Sequence, residues 1–89
     1  MTLYALTRTP SGQNTNGLMA YNKYEANVVK SVKLISLNGN RSFSFTVNGT
    51  SCAVGSSVNV DGAETTVQFN YSGGGYNDYC TAVYEVTLL

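Results

Sequence analysis

The sequence predicts an all-β domain, a small antiparallel sandwich or barrel of seven or eight short strands joined by tight hairpins. Turn chemistry is the first observation behind this reading. Asn-Gly supplies the positive φ that both central residues of a type I′ turn need, and it occurs at Asn38-Gly39 and Asn48-Gly49, with Asp61-Gly62 as a third candidate. Alternation is the second, because apolar and polar residues take turns along most of the segments between those dipeptides. Length is the third. Eighty-nine residues, 43% of them hydrophobic, build one core and leave no room for another, so residues 1–89 read as a single domain.

Taken in order, Leu3–Thr7 and Leu18–Tyr24 read as strands divided by the turn-rich TPSGQNTNG. A two-residue loop at Asn38-Gly39 then sets Leu34 opposite Phe43 and Val32 opposite Phe45. The same rule at Asn48-Gly49 sets Phe45 opposite Cys52 and Phe43 opposite Val54. Around Asp61-Gly62 it pairs Val60 with Ala63 and Val58 with Thr65. Thr65, Val67, Phe69 and Tyr71 share one face of the next strand, and Ala82, Tyr84, Val86 and Leu88 one face of the last. The expected core is Val32, Leu34, Phe43, Phe45, Val54, Val67, Phe69, Tyr84 and Val86. One stretch also fits a helix, over about residues 22–36, which would make the fold α+β. Tyr21, Tyr24, Val28, Val32 and Ile35 recur there at spacings of three and four, and Asn22 with Glu25 resembles a capping box.

Charge is scarce and unevenly placed. Charged residues are 11% of the chain, with ten Asn, ten Thr and nine Ser supplying polarity instead. All five cations (Arg8, Lys23, Lys30, Lys33, Arg41) precede residue 42, and four of the five anions (Asp61, Glu64, Asp78, Glu85) follow residue 60. The two halves therefore form separate charged patches or interleave their strands and mix. A net charge of zero argues against a nucleic-acid partner. No apolar run reaches a membrane-spanning length, so no membrane insertion is expected. MTLYALTRTP lacks the basic and apolar regions of a signal peptide.

Chemistry of the usual catalytic kinds is missing. The chain has no histidine, hence no imidazole base, and its five carboxylates suggest no pair for acid–base work. The Gly73-Gly74-Gly75 triplet lacks the Lys-Ser/Thr ending of a phosphate loop. We therefore expect no enzyme, no catalytic residues, no cofactor and no metal; a calcium site from Asp61, Glu64 and Asp78 lacks the spacing of a dedicated loop. Cys52 and Cys80 are either a disulfide or two buried small hydrophobes. The sequons at Asn40, Asn48 and Asn70 are no more than such a composition yields by chance.

The stretch TVNGTSCAVGSSVNVDG is similar in its turn chemistry to immunoglobulin-like modules of bacterial surfaces and phage particles. What remains is a surface that binds. Loops on a rigid sandwich are where contact residues gather, and YSGGGYNDYC mixes Tyr, Gly, Ser and Asn as paratopes do. Tyr76, Asn77, Asp78 and Tyr79 are thus the expected contact with a protein partner, joined by TPSGQNTNG if both loops share an end. The expected function is a structural or assembly module, such as a virion decoration or surface-appendage protein, placed in a virion or extracellularly rather than in cytoplasm. A protein-binding inhibitor module or a glycan-binding domain using exposed tyrosines is the alternative.

Overall fold

Asn48 and Gly49 have φ of 51° and 80°, the left-handed pair that a type I′ turn demands. Val47 pairs with Thr50, Thr46 with Ser51, and the Cys52 N–H donates to the Phe45 carbonyl at 2.9 Å, the register expected from sequence. The computed structural model describes residues 2–8, 17–40, 43–71 and 79–89, and its strands are β1 (Thr2–Arg8), β2 (Gly17–Tyr24), β3 (Val29–Gly39), β4 (Ser44–Val47), β5 (Thr50–Ser51), β6 (Ser57–Asn59), β7 (Thr65–Tyr71) and β8 (Cys80–Leu88). They form two antiparallel sheets of four, in the orders β1-β8-β3-β6 and β2-β7-β4-β5. The fold is an all-β sandwich. β1 pairs with β8 and not β2, which differs from the immunoglobulin order, where the first strand lies beside the second.

The helical reading of residues 22–36 is not what forms. That segment is the end of β2, a turn at residues 26–28 and most of β3. Its misleading spacing has a physical source in two β-bulges. Against β8, the pairing of β3 slips between Val29 and Ser31 and again between Leu34 and Ser36, adding Lys30 and then Ile35 as extra residues. Each bulge resets the alternation, so Val29 and Val32 both face inward three residues apart, as do Leu34 and the half-buried Leu37. Tyr21, Val28 and Ile35, three of the five residues of the supposed helical stripe, are exposed.

Asn38-Gly39 is not a hairpin. Both residues stay in β3, opposite Thr81 and Cys80, and neither has positive φ. β3 and β4 belong to opposite sheets, so Leu34 faces Tyr84 and not Phe43, and Phe45 faces Phe69 and not Val32. Gly39 is required for another reason: a Cβ there would lie 2.5 Å from the Tyr79 carbonyl oxygen and 2.9 Å from the Phe43 ring. Asp61-Gly62 does turn, with φ of 47° and 90° and the Ala63 N–H donating to the Val60 carbonyl at 3.0 Å. It too crosses between sheets, so Val58 pairs with Val32 and not Thr65.

Seven of the nine expected core residues are buried: Val32, Leu34, Phe45, Val67, Phe69, Tyr84 and Val86. Phe43 is half-buried with its ring 6.0 Å from that of Phe69. Val54 is 57% exposed, because β5 ends at Ser51 and the chain turns through Gly55 toward the other sheet. Leu6, Val29, Val47, Cys52, Cys80 and Ala82 complete the core. Both cysteines are buried free thiols and form no disulfide. Cys52 Sγ lies 3.3 Å from the Ser56 carbonyl, which accepts from the N–H of Leu34, the partner of Tyr84. Cys80 is four residues further along β8, about 13 Å at some 3.3 Å per residue, beyond the span of a bridge. The charges mix: β3 places Lys33 opposite Glu85 of β8, and the Lys30 carbonyl accepts from the Asp61 N–H at 3.0 Å. Among the described residues no helix is long and apolar enough to cross a membrane.

Candidate functional site

Three links between the sheets leave from one end of the sandwich. Arg8 and Gly39 both pair with Cys80, Gly17 pairs with Tyr71, and Ser44 pairs with Asn70. The described residues that flank segments 9–16, 40–43 and 72–79 therefore share that end, where TPSGQNTNG and YSGGGYNDYC both begin and finish. Tyr76, Asn77 and Asp78 lie outside the described residues. Tyr79 is 50% exposed while its backbone is fixed. Its N–H donates to Asn40 Oδ1 at 3.0 Å, and the Asn40 N–H donates to its carbonyl at 3.2 Å. An exposed ring on a clamped backbone loses little further freedom on contact, which favours binding.

A second feature lies on the outer face of the sheet that begins with β2. β2 slips against β7 between Leu18 and Tyr21: three steps along β2 oppose two along β7, so Tyr21, and not Ala20, stands opposite Gln68. Tyr21 is 51% exposed, with Lys23 Nζ 5.3 Å from its ring centroid. Tyr21, Lys23, Asn48, Gly49, Thr66 and Gln68 line an open depression of about 450 Å³. Its floor is held by amides: Asn48 Oδ1 accepts the Thr66 N–H at 2.8 Å, and Asn48 Nδ2 donates to the Glu64 carbonyl at 3.1 Å. Gln68 Nε2 donates to Asn70 Oδ1 at 3.1 Å, and Asn70 Nδ2 to Thr46 Oγ1 at 3.0 Å.

No protein-family model, curated protein or solved structure matches this chain. Geometry alone speaks for function. Between the sheets, the buried Tyr84 hydroxyl accepts from Asn22 Nδ2 at 2.7 Å and lies 2.6 Å from the Tyr24 hydroxyl. Burial, and then the hydrogen bond to Tyr84, hold the Tyr24 phenol well above its ordinary range, so it stays protonated. Tyr4 stacks on Tyr84 at 5.8 Å and meets Tyr24 edge-on at 5.7 Å. This cluster ties β2 to β8 and satisfies a buried hydroxyl. Burial likewise pushes the Cys80 thiol up to about 11, which removes its nucleophilic character at neutral pH. Among the described residues no three of His, Cys, Asp or Glu come together. Sequence reasoning missed Tyr21 as an outward-facing aromatic, although unbroken alternation from the inward-facing Tyr24 puts it opposite Gln68. It also missed Asn22, a polar residue on an inward face.

Proposed function

We propose that the chain is a non-catalytic assembly module that holds a protein partner with the end of the sandwich at which segments 9–16, 40–43 and 72–79 begin and finish. The supporting observation is the shared position of their described flanks, with the exposed Tyr79 ring standing on a backbone clamped by Asn40. Tyr76, Asn77, Asp78 and Tyr79 make the contact, and the sandwich behind them supplies rigidity. The test replaces Tyr76 and Tyr79 by Ala and measures affinity for the partner cross-linked at that end. Binding should weaken at least tenfold, about 1.4 kcal/mol, with the melting temperature held. Undiminished binding refutes the reading.

A second reading is favoured by the Tyr21 depression. An exposed ring offers a flat apolar face to a pyranose, and Gln68 Oε1, the Thr66 hydroxyl and Lys23 are hydrogen-bonding groups for its hydroxyls. Titrating ¹⁵N-labelled protein with cellohexaose, chitohexaose and maltohexaose tests it. Shifts at Tyr21, Thr66 and Gln68 that vanish in Tyr21→Ala support a glycan partner, and unmoved resonances at about 10 mM, weaker than −3 kcal/mol, exclude these sugars.

A further inference from the structure

Sheet edges expose unpaired N–H and C=O groups, and folded proteins protect them by shortness, bulges, charge or cover. The two sheets have four edges, β1, β6, β2 and β5. β6 has three residues and β5 two, too short to template another strand. β2 is bulged and carries Lys23. Among the described residues, β1 is neither short, bulged nor covered. Its seven residues, TLYALTR, pair with β8 without a slip, contain no proline, and hold their one charge at the last position, Arg8. Among the described residues no strand lies on its outer side. Leu3 and Tyr4 on this edge are 61% and 38% exposed.

We propose that β1 is the seam of a symmetric dimer, in which β1 of a second copy pairs antiparallel with it and the two four-stranded sheets become one of eight. The sequence of the strand is self-complementary in that arrangement. Pairing centred on Ala5 sets Tyr4 opposite Leu6 and Leu3 opposite Thr7 of the other copy, and Ala5 opposite itself. The faces match. Tyr4 and Leu6 lie on the core side, opposite Tyr84 and Ala82 of β8, while Leu3, Ala5 and Thr7 lie on the outer side. The half-covered Tyr4 ring would thus meet a leucine and extend the core across the seam. Each Arg8 falls opposite Thr2, so the two arginines sit at opposite ends, about 20 Å apart at 3.4 Å per residue. A one-residue slip would put core-side residues opposite outer ones, and a slip of two would lose the Tyr4–Leu6 pairs. The seam is independent of the loop end, and its variants are different ones.

Sedimentation velocity over a concentration series, with cross-linking, tests this. The wild-type chain should move from 9.5 kDa toward 19 kDa (2 × 9.5) as concentration rises. Ala5→Lys places two like charges across the two-fold and should weaken association at least tenfold, whereas Leu3→Lys, whose side chain faces Glu85 of its own β8, should weaken it less. Ala5 is exposed, so its variants leave the core alone. Mild oxidation of Ala5→Cys should give a covalent dimer, since opposed Cβ atoms on paired strands are about 5 Å apart, and Thr7→Cys should not. A wild-type chain that stays at 9.5 kDa at all concentrations overturns the proposal. So does a dimer that Ala5→Lys leaves intact, or one that oxidation traps through Thr7→Cys and not Ala5→Cys.

Discussion

Tyr84→Phe isolates the hydroxyl that joins the sheets. The ring is fully buried against Phe45 and Tyr4, at 5.6 and 5.8 Å between centroids, and those contacts survive the change. What is lost is the pair of hydrogen bonds to Asn22 and Tyr24. Each contributes about 1 kcal/mol net. Both partners are only half-buried, so water can reach them and the penalty for an orphaned group stays small. The expected loss is therefore about 2 kcal/mol, which in a domain of this size lowers the melting temperature by about 8–16 °C. Urea unfolding should show a lower midpoint at unchanged slope, because the surface exposed on unfolding is the same. A cycle with Tyr24→Phe should return a coupling of at least about 0.5 kcal/mol. A Tyr84→Phe protein as stable as its parent, or additive with Tyr24→Phe, refutes the idea that these hydroxyls hold the sheets together.

Phe45→Ala should cost about 3–5 kcal/mol by calorimetry or urea, while Val54→Ser on the exposed turn should stay within about 0.5. Gly39→Ala, which drives a methyl into the Tyr79 carbonyl and the Phe43 ring, should destabilise by at least about 1–3 kcal/mol, and near-native stability would contradict the close approach. The stability owed to the Cys80 proton should be level below pH 9 and fall as pH rises from 9 toward 11, since the folded state keeps the proton that the unfolded chain releases; Cys80→Ala should remove that part of the loss, and Tyr24→Phe should remove a further decline beginning near pH 10. Thiol titration without reductant should find two reactive groups after unfolding and almost none in the native protein, and an absence of thiols in the unfolded chain would restore the bridge.

Alternation was a sound guide wherever a strand ran without interruption. β7 and β8 show it: Thr65, Val67 and Phe69, and Ala82, Tyr84 and Val86, all face inward as their period of two requires. β3 was read less well because Lys30 and Ile35 are bulged residues, and a bulge leaves no mark in the sequence beyond a phase error that resembles a helical repeat. The dipeptides gave turn geometry but not strand partners. Asn48-Gly49 joins neighbours, whereas Asp61-Gly62, with the same positive sign of φ at both residues, hands the chain to the opposite sheet. Asn38-Gly39 misled outright, since a glycine needed for close approach and one needed for positive φ are the same letter. At the candidate site, the shared end of the two loops follows from strand pairing, and the Tyr21 depression from the pairing of β2 with β7; neither is local information.

The place of β8 has a consequence for how the molecule is made. β8 comes last of the eight strands in chain order, yet it lies between β1 and β3. Until it emerges, the first strand of its sheet has no in-sheet neighbour, and the buried faces of both sheets lack Ala82, Tyr84 and Val86. A nascent chain stopped before Cys80 thus displays β1 and β3 as separate sticky edges with a gap one strand wide. Completion is an insertion, with pairings that span nearly the whole sequence, and such long-range closures put folding on a timescale of about milliseconds to seconds. During that interval the vacancy accepts any strand of suitable pattern, including β8 of a neighbouring chain, so exchange of this strand between molecules is the characteristic misassembly to look for when refolding at high concentration.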